Sequence, residues 1–151
     1  MRFTSAADYS TILKFNRELI NTVIDTPAII YKLHIEGTKT NIYGEGTSKE
    51  YYVGVQVPCL IDRQDAEAIT EMIGTLDFEQ DVTFAFLKVE LEDRGVYPEV
   101  GDIIEFDSQY FEIDTANEVQ LFAGQVAYNH QIFCSTHMMR KSPTNLERPI
   151  V

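Results

Sequence analysis

Between residues 97 and 113 the chain reads YPEVGDIIEFDSQYFEI, two short alternating runs joined by Asp107-Ser108. Two period-2 runs around a polar two-residue link form an antiparallel hairpin. In that register Phe106 faces Gln109, Ile104 faces Phe111 and Asp102 faces Ile113, which gathers one apolar face. The opposite face sets Glu105 against Tyr110 and Ile103 against Glu112. Such a hairpin is buried on one side and wet on the other, and it commits the chain to antiparallel sheet.

The flanking sequence supplies more strands. VTFAFLKVEL (82–91) alternates Val82, Phe84 and Phe86 with Thr83, Ala85, Leu87, Val89 and Leu91, and predicts a central strand that opens to solvent at Lys88, Glu90 and Glu92. AIIYKLHI (28–35) predicts a strand with one wet face, and YYVGVQVPCLID (51–62) a strand that lies at an edge or bulges at Pro58. QVAYNHQIFCSTHMMR (125–140) predicts a long final strand, reached through DTANEVQ as a turn. The remaining periodicity is helical. Ser5-Ala-Ala-Asp8 is a capping box, and Ile12, Phe15, Leu19 and Val23 follow at helical spacing, so a helix is expected over about 6–22, ending before Thr26-Pro27. A second, short helix is expected over 62–74, capped by Asp62 and stopped by Gly74.

These elements predict a mainly β chain: a small antiparallel β-barrel or sandwich with an N-terminal helix and long loops. Its parts are an N-terminal helix or arm at 1–25, a barrel domain at 26–140 with a mobile loop at 37–50, and a C-terminal arm at 141–151. A chain of 151 residues suits one domain. No apolar run reaches the roughly 18 residues that a spanning helix needs, and MRFTSAADYS has no signal-peptide core, so a soluble product is expected. Cys59 and Cys134 stand 75 residues apart in no metal or redox motif, and read as reduced, buried thiols.

Charge is concentrated in the middle of the chain. The net charge is −12, yet residues 50–120 alone hold 18 acidic and 3 basic residues. A surface so anionic repels phosphates, which argues against duplex or single-strand binding, where Lys and Arg neutralisation supplies most of the affinity. No nucleophile elbow, phosphate loop, dinucleotide fingerprint or zinc motif occurs. His130, Cys134 and His137 have the chemistry of zinc ligands, but on a strand His137 points away from the other two. Glu90, Glu92 and Asp93 gather at a strand end, which offers a cation or acid–base site only if they converge. Neither metal nor cofactor is expected, and no catalytic residue is assigned.

The hairpin layout Gly101-Asp102-Ile103-Ile104, Phe106, then Tyr110-Phe111 and Ile113, resembles one found in small β-barrel proteins of tailed-phage necks. NIYGEGTSKEYY, VPCLIDR, FAFLKVELEDRGVYPEVGD and AYNHQIFCSTHMMR are similar to blocks of neck proteins of myovirus-type phages, over roughly residues 26–140. The resemblance is to the head-closure, or stopper, family. It implies a non-enzymatic virion protein, assembled in the host cytoplasm, that forms a ring of about six- or twelve-fold order. The ring joins portal and adaptor to the tail and lines or closes the channel, through which DNA passes without specific binding. On this reading Glu90, Glu92, Glu105 and Glu112 are channel-facing candidates. Phe15, Leu19, Tyr43, Tyr51, Tyr110, Leu146 and Ile150 are candidates for subunit or partner contacts. Two alternatives stay open. A tail-terminator or tail-completion ring protein would carry a second firm helix at 62–74. A small soluble enzyme or ligand-binding barrel would show an enclosed polar pocket with converging carboxylates.

Overall fold

The computed structural model describes residues 5–36, 39–40, 46–63, 67–70, 76–121 and 125–139. Tyr43, Leu146, Ile150 and the arm 141–151 lie outside the described residues, as does part of the 37–50 loop.

Helix α1 (Ala6–Glu18) starts as the sequence predicts. The Ser5 hydroxyl accepts from the Asp8 N–H at 3.2 Å, and the Asp8 carboxylate accepts from the Ser5 N–H at 3.0 Å. The helix then widens into a π-helical turn, Leu19–Ile24, closed by the Asp25 N–H on the Ile20 carbonyl at 3.0 Å. Asp25 takes a left-handed φ of 44° and turns the chain into the sheet.

The strands are β1 (Pro27–Tyr31), β2 (Lys39–Thr40), β3 (Gly46–Ser48), β4 (Val55–Arg63), β5 (Glu67–Thr70), β6 (Leu76–Glu79), β7 (Asp81–Leu87), β8 (Ile103–Phe106), β9 (Gln109–Leu121) and β10 (Asn129–Met138). Six of them close an antiparallel barrel in the order β1-β4-β7-β10-β9-β8, with β8 returning to β1 at Ile30↔Ile104. β2–β3 and β5–β6 are separate two-stranded ribbons. The barrel interior is filled by Ile30, Phe84, Phe86, Ile104, Phe111, Ile113 and Ile132, all buried.

The opening hairpin has the register read from its sequence: Phe106↔Gln109, Ile104↔Phe111, Glu105↔Tyr110 and Ile103↔Glu112. Asp107 and Ser108 both take positive φ, 52° and 61°, the geometry of a type I′ turn. Gly101 has φ of 91°, which a side chain resists, and its N–H donates to the Ile113 carbonyl at 3.0 Å. At Gly54 the reason for glycine is space: a Cβ there would meet the Tyr31 ring at 2.8 Å.

Four sequence expectations are corrected. Glu67–Thr70, expected as part of a helix over 62–74, is a strand that pairs with Leu76–Glu79. The strand expected over 82–91 stops at Leu87, and Lys88–Arg94 forms helix α2. Alternation of Val89 and Leu91 mimicked a strand, whereas Lys, Glu, Leu and Arg are good helix formers and left-handed Gly95 ends the helix. DTANEVQ is not a turn but lies within β9, where register shifts against β10 accommodate it. β4 lies between β1 and β7 and is no edge strand, yet Pro58 stands where its partner changes, paired with Pro27 of β1. The β4–β7 ladder begins at Cys59↔Phe86, one residue past it, so its missing N–H breaks no ladder bond there.

Cys59 and Cys134 are both free and fully buried in the barrel. Burial pushes each thiol up to about 12, so the reactive thiolate is scarce at neutral pH. A thiol reagent at pH 8 is expected to label neither cysteine in the folded chain and both after denaturation, read by intact mass.

Candidate functional site

Two clusters of charge and one apolar row distinguish the outside of the barrel. The first cluster joins the helices. α2 brings Glu90 inward, 1% exposed, where its carboxylate meets Arg17 Nε at 2.5 Å, accepts from Asn21 Nδ2 at 2.9 Å and pairs with Arg94. Arg17 also reaches Asp93 at 2.6 Å. Burial alone would raise the Glu90 carboxyl, but the bonds from Asn21 and Arg94 and the two guanidinium charges outweigh it and hold it below its ordinary value. This is a latch between α1 and α2. Glu90 is therefore not at a strand end but buried on α2 against α1.

The second cluster gathers round the hairpin and the segment that leads into it. Asp102, buried, accepts from Lys32 Nζ at 2.7 Å and from the backbone N–H groups of Leu33 at 2.9 Å and Glu99 at 2.8 Å. Burial works against the Lys32 charge, yet its bonds to Asp102 and Glu99 raise its pKa above the ordinary value. The Tyr31 hydroxyl donates to Glu105 at 2.6 Å, and burial followed by that carboxylate pushes its phenol well up. Lys49 Nζ donates to Glu112 at 2.6 Å. Glu105 and Glu112 are thus half-buried and each bonded by its own chain, which explains how an apolar hairpin carries its acidic residues. Glu92 is exposed on α2.

The contact candidates also separate. Phe15 is 66% exposed and Val23 71%, with Leu19 and Ile24 beside them, so α1 and the π-helical turn that ends it present an apolar row to solvent. Tyr51 is buried and offers no surface, held by an isolated antiparallel bridge to Leu33 ahead of β4. Tyr110 is half-buried on β9. The helix is seated through its other side, where Tyr9 stacks on Tyr128 at 4.4 Å and donates to the Asn129 carbonyl at 3.3 Å. The latch is not local in the chain, since Arg17, Asn21 and Glu90 meet only in three dimensions. The spacing of Glu90 and Arg94 was its one local signal.

The zinc-like residues are dispersed. Cys134 points into the core, and His137 Nδ1 lies 2.8 Å from Asp114 Oδ1 outside it. Among the described residues no three His, Cys, Asp or Glu side chains gather to hold a metal. An open cleft lined by Asn21, Asp25, Pro27, Gln56, Pro58 and Arg94 contains one carboxylate. An apolar groove between α1 and α2 is lined by Ser10, Leu13, Lys14, Arg17, Leu87 and Val89.

No protein-family model matches this sequence, and no curated protein matches it with significance. Among solved structures the chain is similar to one from the virion of a native gene transfer agent particle, with a TM-score of 0.52 and 10% identity, covering 75% of this chain and 93% of that one. The likeness is one of fold and takes in nearly all of that virion chain.

Proposed function

We propose that the chain is a virion structural protein of the head-to-tail connector, a ring component that joins portal or adaptor to the tail. The observation that carries this reading is the match of its fold to a chain of a gene transfer agent virion over 93% of that chain. Two features of the surface support it. The apolar row on α1 is suited to contact with a neighbouring subunit or partner ring. The −15 balance over residues 50–120 disfavours adhesion to DNA in transit. Of the four carboxylates considered for the channel, Glu92 is the one left on an open surface. The tail-terminator alternative loses its distinguishing mark, because the described part of 62–74 contains strand and no helix.

Quantitative mass spectrometry of purified particles tests the reading. A copy number equal to one small ring, counted against the portal, is expected. Absence of the chain from particles overturns the reading.

A further inference from the structure

The apolar groove between α1 and α2 is a preformed hole. Ser10, Leu13, Lys14 and Arg17 recur at three and four residues, so one face of α1 forms one wall, and Leu87 and Val89 form the other. Its volume is about 230 Å³, against the roughly 150 Å³ that holds a benzene ring, so it takes one large side chain. Both charged residues that line it are cationic, in a chain of net charge −12. Arg17 is engaged by Glu90 and Asp93, whereas Lys14 is exposed and makes no ion pair among the described residues. Such a groove suits an apolar side chain that stands next to a carboxylate.

The chain carries such a group on the turn between α2 and β8. Left-handed Gly95 ends α2, and buried Val96 and Pro98 anchor the residues that follow. Tyr97 is 41% exposed, Val100 67% and the Glu99 side chain 69%. The backbone of the turn is fixed. The Tyr97 carbonyl accepts from Lys32 Nζ at 2.8 Å, the Glu99 N–H donates to the Asp102 carboxylate at 2.8 Å, and the Glu99 carbonyl accepts from the Asp102 N–H at 3.2 Å. Lys32 is shared by Glu99 and Asp102, which leaves negative charge in excess. A knob held this firmly loses little conformational entropy when it is bound.

Knob and hole thus match in size, polarity and charge, and one chain carries both. The exposed row of Phe15, Leu19 and Val23 is a poorer match, because α1 balances Asp8 and Glu18 against Lys14 and Arg17 and offers no excess of carboxylates. A surface that fits a different surface of its own copy makes a heterologous contact, which closes into a ring when the rotation permits.

We propose that the turn 97–100 of one copy seats in the α1–α2 groove of the next, with the Tyr97 ring in the groove, Val100 beside it and Glu99 facing Lys14. The joint rests on the connector reading, in which copies stand side by side. Copy number in particles tests that reading, whereas self-association in solution tests the joint.

Sedimentation velocity of the full chain at rising concentration provides the test. Wild type is expected to associate. Ser10→Trp, which plugs the groove, and Tyr97→Ser, which trims the knob, are each expected to weaken association at least about tenfold. Both positions are exposed, and an unchanged thermal transition checks that each variant keeps the fold. Lys14→Glu takes the place of Ser10→Trp if the tryptophan disturbs the helix. The two variants are then mixed in equal amounts, at a concentration where each alone is monomeric. The mixture should recover dimers and nothing larger, because each pair retains one intact hole and one intact knob. Three results overturn the joint: a wild type that stays monomeric, association untouched by either variant, or a mixture that recovers no dimer.

Discussion

Replacing Phe84 with Ala lowers the stability of the barrel by about 3–5 kcal/mol, the range for emptying an aromatic site in a core that cannot collapse around it. The ring is fully buried on β7, between β4 at Ile61 and β10 at Cys134. It packs edge-on against Phe111 at 5.5 Å and Phe106 at 6.2 Å, and lies 6.4 Å from Phe86. Removing it takes away apolar burial and three aromatic contacts at once. Strands of a closed barrel are hydrogen-bonded on both sides, which limits how far they move in to fill the space. Chemical denaturation is the measurement, with a lower midpoint and an unchanged slope expected. Phe15→Ala is the companion variant. Its ring faces solvent, so a change within about 0.5 kcal/mol is expected. A loss below about 1 kcal/mol at Phe84 would mean that the ring is not held inside the barrel.

Glu90→Ala is expected to cost about 2–3 kcal/mol. Breaking a fully buried pair costs roughly 3–5 kcal/mol, but the abandoned Arg17 and Arg94 are partly exposed and regain water. The loss should appear first as release of α1, seen as faster amide exchange over residues 6–24 while the barrel strands remain protected. The latch is also sensitive to acid. The folded carboxyl lies below its ordinary value of 4.5, so its contribution is fully present above that pH and is lost as pH falls through the folded value. Wild type should therefore lose helix protection at a pH below about 4.5, and Glu90→Gln should show no such acid step. An acid step of equal size in Glu90→Gln would assign it to other carboxylates.

The barrel was legible where local signals and tertiary structure agree. The hairpin 103–113 combines strict alternation with a two-residue turn, so its register followed from sequence. The helix cap at Ser5 and Asp8 was equally direct. Segments whose alternation competes with other preferences were misread. LKVEL alternates like a strand, but its residues favour helix, and Gly95 supplied the stop. Glu67–Thr70 lies between the helix signals Asp62 and Gly74, yet pairing across the ribbon prevailed. The acidic residues were legible as a composition and not as a geometry. Asp102, Glu105 and Glu112 each find a partner from β1, the residue just after it or the segment before β4, at sequence distances between 63 and 74 residues, and no local pattern reports such meetings.

Closure of the sheet also decides where this protein can aggregate. A closed barrel leaves no strand on which a foreign chain can grow, so among the described residues edge-to-edge growth is confined to the two small ribbons. Both strands of the longer ribbon contain acidic residues, Glu67 on one and Asp77 and Glu79 on the other. Like charges stacked at every repeat of a fibril repel one another, and charged residues beside apolar ones act as gatekeepers against such growth. The negative charge of the middle region thus also guards the ribbon against growth from copy to copy.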